Sequence, residues 1–248
     1  MQASSGGARK DLLMAYYDHI ATQWHEATGY RGGPFKELVL NDVLLNNITS
    51  IESRSILELG TGNGYFLPMV LRRFSGQVPS AIVVTDQSSR LLEIAEKHFR
   101  IPEATYQLLD VRRRFPFDES HFDLILASMV FNELSSGHFK RALQESLRVL
   151  SPGGLFLMSV IHPDFVRGLQ MRGLLSTARG GTLTMPAGGS LRLPVVLRSS
   201  NAYRHALAGA GFRFEEEMVY PTNRVLSARP GLRNSGSLPI ALVFRCTH

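Results

Sequence analysis

The sequence predicts an α/β protein, a mostly parallel sheet with helices on both faces and a small cap inserted late in the chain. Three observations lead there. Short apolar segments alternate with amphipathic ones over residues 55–161. The apolar segments carry few polar interruptions, as strands covered on both faces do. Glycines and acids gather at the C-terminal ends of those segments, the rim where open α/β sheets bind ligands.

Taken in order, Asp11–Glu26 has apolar residues near helical spacing and is broken by the Gly29–Pro34 run. Phe35–Ile48 reads as a second helix, with Leu38, Leu45 and Ile48 on or near one face. Ser55–Leu59 is an apolar run ending in a glycine cluster, hence a buried strand and turn. Gly64–Phe74 reads as a helix kinked near Pro68. Ala81–Thr85 is the second strand, with Asp86 at its end, and Gln87–Arg100 the helix after it. Thr105–Leu109 is the third strand, followed by Asp110, and Phe122–Ala127 the fourth. Phe139–Leu150 is an amphipathic helix closed by Ser151-Pro152-Gly153-Gly154, and Leu155–Ile161 is the fifth strand. From 163 to 200 the pattern weakens among paired glycines and prolines, so this stretch is expected to be a cap. Asn201–Ala210 is helical. Phe212–Tyr220 and Leu238–Cys246 are strands expected to pair and close one sheet edge, with an Arg/Gly/Pro-rich loop between them.

Composition excludes several classes. Hydrophobic residues make up 44% of 248 and charged residues 19%, which excludes disorder and allows one good-sized core. The one cysteine, Cys246, rules out a disulfide framework. No stretch of about 18 apolar residues exists and the start has no apolar signal core, so a cytoplasmic protein with no membrane span is expected. The net charge of +6 is uneven: residues 1–150 carry −1 and residues 151–248 carry +7, all from arginine. An anionic small-molecule substrate or, less readily, a nucleic acid fits that excess, and so does a solvated Arg-rich surface.

The strongest local signal is Ile56-Leu57-Glu58-Leu59-Gly60-Thr61-Gly62-Asn63-Gly64. Clustered glycines let the backbone turn sharply and approach a ligand. The spacing is G-x-G-x-G, with Tyr65 where a dinucleotide fingerprint requires its third glycine, so G-x-G-x-x-G is absent. Glu58 inside the strand suits a positively charged ligand better than a pyrophosphate, and a buried carboxylate there needs a partner. Asp86 stands 26 residues after Gly60, where a carboxylate accepts both ribose hydroxyls; the competing reading is a helix N-cap. Asp110 holds the equivalent place after the third strand, in reach of an adenine amino group or serving a turn.

These residues carry a resemblance. The segments ILELGTGNGYF at 56–66, VVTDQS at 83–88, LLDVRRRFPFDESHFDLILASMVFNEL at 108–134 and LRVLSPGGLFLMSVIHPDF at 147–165 resemble the class I S-adenosylmethionine-dependent methyltransferases. YYDHIATQW at 16–24 looks like the opening helix of their small-molecule, ubiquinone/menaquinone-type branch, and RSSNAYRHALAGAGF at 198–212 like the helix before their sixth strand. The resemblance implies a Rossmann-like seven-stranded sheet with its last strand antiparallel. It implies residues 1–34 as a mobile segment and lid helix, and 35–248 as the methyltransferase domain with the cap at about 163–200. It implies S-adenosyl-L-methionine as cofactor. Glu58, Gly60, Thr61, Gly62 and Gly64 would line its methionine part. Asp86 would hold the ribose with Gln87 beside the adenine, Asp110 and Val111 would meet the adenine edge, and Ser128 and Met129 would border the sulfonium.

Methyl transfer from a sulfonium needs mainly proximity and desolvation, and a base where the acceptor is poorly ionised. His162, just after the fifth strand, and Glu133, after the fourth, are the candidate catalytic residues; each has a structural reading as well, a packed histidine and a helix-start acid. Tyr16, Tyr17, Trp24 and His25 fit a helical lid or ordinary packing. The residues after Val130 are Phe131-Asn132-Glu133-Leu134, without the Asn/Asp-Pro-Pro-aromatic tetrad of base-amino methyltransferases. No H-E-x-x-H motif appears, so no catalytic metal is expected. The expected activity is methyl transfer to a small organic molecule on O, N or C. The rivals are an RNA-modifying methyltransferase and a methyltransferase-fold binding protein without transfer activity.

Overall fold

The computed structural model describes residues 6–177, 183–188, 190–228 and 238–248. Its centre is a seven-stranded sheet of β1 (Ser55–Glu58), β2 (Ala81–Asp86), β3 (Ala104–Leu108), β4 (Phe122–Ser128), β5 (Leu150–Ile161), β9 (Arg213–Val219) and β10 (Ala241–Thr247). The strand order is β3-β2-β1-β4-β5-β10-β9. The first five are parallel, and β10 runs antiparallel to both β5 and β9. The order reverses between β1 and β4, which opens a crevice at their C-terminal ends.

Alternation along the strands builds two cores. Leu57, Ile125, Phe156 and Phe244 face one side, where α5 (Ser136–Val149) and α7 (Ser200–Ala210) supply Phe139, Leu143, Tyr203 and Leu207. Ile56, Leu124, Leu126 and Leu157 face the other, against Leu40 and Leu44 of α2 (33–46) and Phe66, Leu67 and Val70 of α3 (Phe66–Arg73). Each fully buried Leu or Phe contributes about 1.5–3 kcal/mol. The helix α2 is continuous but contains a π-turn at Lys36–Leu40.

Several local expectations shift. Pro68 lies in the first turn of α3, where its missing N–H costs no helical bond, so it starts the helix instead of kinking it. The helix α5 begins at Ser136 because Ser135 caps it, its side chain accepting from the His138 N–H. The 151–154 segment does not interrupt β5, which runs from Leu150 through to Ile161 with a register shift against β4.

The stretch at 163–200 is more ordered than its sequence suggests. It forms α6 (Pro163–Met171) and a separate sheet of β6 (Ser176–Thr177), β7 (Leu183–Gly188) and β8 (Leu191–Pro194). Val166, Leu169, Met185 and Val195 give it a small core of its own. The Arg/Gly/Pro-rich loop contains α8 (Asn223–Ala228); its remainder, 229–237, lies outside the described residues, as do residues 1–5. The helix α1 (Gly6–Thr28) packs along α4 (Ser89–Phe99) and reaches β8. Tyr16 Oη donates to the Arg192 carbonyl of β8, so α1 joins the rim of the main sheet to the cap.

Candidate active site

A cavity of about 520 Å³ lies at the C-terminal ends of β1, β2 and β4, beneath α1 and the cap. That volume falls within the range of roughly 300–1,000 Å³ typical of small-molecule sites. It is bounded on one side by Gly60, Thr61, Gly62, Asp86, Gln87, Val111, Ser128 and Met129, and on the other by residues of the cap. Eight of the expected cofactor residues therefore meet in one space. Glu58, Gly64 and Asp110 do not line it.

The glycine loop shows why. Gly62 has φ 61°, and a Cβ there would lie 3.0 Å from Trp24 Nε1 of α1. That glycine keeps the ligand side of the loop open. Gly64, at φ 88°, would clash with Ala95 of α4 at 2.6 Å, so it serves helix packing instead. Asp86 is buried. Its Oδ2 accepts from the Gly62 N–H at 2.9 Å and its Oδ1 from the Ser88 N–H at 3.0 Å. Burial pushes its pKa up to about 6, against three backbone N–H groups that lower it. Asp86 is not the helix cap: Ser88 is, its side chain accepting from the Leu91 N–H.

Glu58 is 4% exposed beneath the loop, with Oε2 accepting from Thr61 Oγ1 at 2.6 Å. Burial raises its pKa to about 7, partly opposed by Thr61 and by the charge of Lys36. Lys36 lines the cavity from the π-turn, its Nζ 5.4 Å from the Tyr65 ring centroid. Burial lowers the Lys36 pKa to about 8, and Glu58 counters that. Sequence reasoning missed Lys36, because nothing in the spacing of a helical lysine marks it.

Asp110 turns away from the cavity. Its Oδ1 and Oδ2 are taken by Arg112 Nε at 2.7 Å and Nη2 at 3.0 Å, and Arg113 is 3.4 Å away. Burial raises its pKa, but the two guanidiniums and the Arg112 N–H more than offset that and hold it low. Arg112 itself lines the cavity. An acid followed two and three residues later by arginines was the available signal for an internal ion pair.

Glu133 lines the cavity, and the structure makes it a bridge. Its Oε2 accepts from Tyr17 Oη of α1 at 2.9 Å, and its Oε1 from Gln87 Nε2 at 3.5 Å. Burial raises its pKa to about 7, with Tyr17 and Arg112 opposing the shift. His162 is elsewhere. It is 4% exposed, does not line the cavity, and caps α6, its Nδ1 accepting from the Asp164 N–H at 3.1 Å. Burial lowers its pKa. Pro163 at the first helical position makes the preceding residue the cap.

Met129 adopts φ 65°, a conformation that costs a non-glycine residue on the order of 1–3 kcal/mol. Asn132 holds it there, Nδ2 donating to the Met129 carbonyl at 2.9 Å. The Asn132 side-chain oxygen accepts from the Ile161 N–H, and its carbonyl accepts from the Val196 N–H. One buried amide thus fixes the ends of β4 and β5 and the segment after β8.

Residues 56–154 match the model of a methyltransferase domain. An uncharacterized methyltransferase of Synechocystis sp. is 27% identical over 118 residues, 48% of this chain and 52% of its own. The chain spans about half the length of the curated relatives it matches. An S-adenosylmethionine-dependent methyltransferase from Mesorhizobium loti superposes with a TM-score of 0.63, over 84% of this chain and 96% of its own, at 22% identity. The DhpI–SAM–HEP complex superposes with a TM-score of 0.66 over 100% of both chains at 16% identity. The fold is therefore that of the class I S-adenosylmethionine-dependent methyltransferases. Within it, residues 56–154 match a methyltransferase domain, and the class whose fold this is takes S-adenosylmethionine as cofactor.

Proposed function

We propose that this protein transfers a methyl group from S-adenosylmethionine to a small organic molecule seated under the cap. The observation that supports this reading best is the shared cavity: the glycine loop and Asp86 open into the same space as the apolar face of residues 161–194. Gly60, Thr61 and Gly62 would accommodate the methionine part, and Asp86 would accept the ribose hydroxyls. The Lys36 ammonium, which has no ion-pair partner among the described residues, would meet the cofactor's carboxylate. Glu58 beneath the loop supplies the negative charge that a bound cation needs. Val111 and Gln87 border the adenine end, and Ser128 and Met129 the sulfonium.

When bound, the cofactor supplies an activated methyl group that leaves sulfur as an acceptor lone pair attacks. The chain's own contribution is orientation, dryness and one proton acceptor. The cap and α1 line and partly cover the cavity, and Asn132 fixes the rim on which the reactants would rest. Glu133 would take the acceptor's proton, a role supported by its position on the cavity wall and its pKa near 7. His162 is not so placed. The small-molecule reading is favoured over RNA because the acceptor end is roofed by the cap. A native mass spectrum of the purified protein mixed with S-adenosylmethionine tests it: a one-to-one adduct is expected, and incubation with methyl-labelled cofactor should then label small molecules and not added RNA.

A further inference from the structure

The acceptor end of the cavity has a chemistry of its own. Every described residue that 161–194 contributes to the wall is apolar, among them Ile161, Phe165, Leu169, Met185, Leu191 and Leu193. The charged side chains on the wall are Lys36, Asp86, Arg112 and Glu133, and all four come from α2 or the sheet rim. Arg112 is already paired with Asp110. One cap cation, Arg192, is held away from the space: its Nη2 donates to the carbonyls of Leu174 and Thr184, and its Nε to Thr184 Oγ1. Asn132, the polar group at the junction, has its amide consumed by Met129 and Ile161.

From this we infer that the acceptor is a largely apolar, uncharged molecule whose hydrocarbon body fills the cap, leaving one polar atom at the Ser128–Glu133 rim. Among the described residues an anionic acceptor finds no cation to pair with on the cap wall, and burying an unpaired charge is costly. The +7 of the C-terminal segment therefore does not describe the substrate; among the described residues its arginines bind carbonyls and carboxylates, as Arg192, Arg198 and Arg204 do. The inference rests on the proposed function for its polar end only, since the lining stands whatever the reaction.

The test uses three probes with one body and three head groups: 1-octanol, octylammonium and octanoate. Trp24 is the single tryptophan and lines the cavity, so its fluorescence reports occupancy, with calorimetry as the second readout. With S-adenosylhomocysteine present, 1-octanol should bind at least tenfold tighter than octanoate. 1-Hexanol should bind about fifteenfold weaker than 1-octanol, the effect of two methylenes. Met185→Gln should weaken 1-octanol roughly five- to 100-fold while S-adenosylhomocysteine affinity stays unchanged. Octanoate binding as tightly as 1-octanol, or no response to chain length, would overturn the inference. So would an unaffected 1-octanol affinity in folded Met185→Gln; if that variant does not fold, the head-group and chain-length comparisons decide on wild-type protein. Repeating the titrations without S-adenosylhomocysteine separates the two claims: a protein that binds 1-octanol but not the cofactor product refutes the methyltransferase reading and leaves the apolar acceptor site standing.

Discussion

The two ends of the cavity are built from different materials. The cofactor end is polar and rests on strand termini: Asp86, the Gly62 N–H and the Thr61–Glu58 pair are held by a sheet whose order places them side by side. The cap end is apolar and rests on a small sheet of its own, with α6 leaning over it. The difference teaches how a site becomes readable. A ligand with fixed charges and hydroxyls demands particular groups at particular strand ends, which leaves a spaced motif in the chain. A ligand recognised by shape and dryness demands only apolar surface, which any of several residues supplies.

The largest expected effect lies at the junction of the two ends. Glu133→Gln should lower the maximal rate about 10²–10⁴-fold with cofactor affinity little changed, if Glu133 takes the acceptor's proton. Steady-state kinetics beside calorimetry separates the two quantities. An equal loss in cofactor affinity would assign Glu133 to holding Tyr17 and Gln87 together instead, and would move it to the cofactor side of the comparison.

The second effect sharpens the contrast in charge. Glu58, Asp86 and Glu133 all have pKa values raised in the folded state, to about 7, 6 and 7. For an acid whose folded pKa is raised, stability is fully present below the unfolded value near 4–4.5 and lost as pH rises through the folded value. Melting of the cofactor-free protein should therefore weaken from pH 5 to pH 8. The fall should show as a melting temperature that decreases as pH rises across that window. S-Adenosylmethionine should oppose that fall, and the cap, which carries no such acid on the wall, should not contribute to it.

The smallest effect separates packing from chemistry at the start of α6. His162→Ala removes the cap of α6 and should cost about 1 kcal/mol of stability while keeping most of the rate per folded molecule. A folded variant whose rate falls a hundredfold would restore His162 to the reaction.

Most of the frame was legible. The apolar runs gave the strands, and the glycine cluster and Asp86 gave the rim, because backbone turns and strand-end acids follow local rules. Four things were not. Lys36 reaches the cavity from a helix whose placement depends on long-range packing, so no local pattern marks it as a site residue. Asp110 sits at a strand end where ligands bind, but the arginines at 112 and 113 beside it hold it in a local ion pair. His162 also sits at a strand end, and the proline after it marks it as a helix cap. The cap's own sheet escaped notice because its strands, β6 to β8, are short and broken by prolines and glycines.

The central claim is that the polar end of the cavity takes S-adenosylmethionine through Asp86 and the glycine loop. Calorimetric titration of wild-type protein and Asp86→Ala with S-adenosylhomocysteine, with NAD as the control, tests it most directly. Micromolar-range binding to wild type, a loss of about 1–3 kcal/mol in the variant from the missing ribose hydrogen bonds, and no heat with NAD is the expected result. Unchanged affinity in Asp86→Ala, or NAD binding in place of S-adenosylhomocysteine, would contradict it.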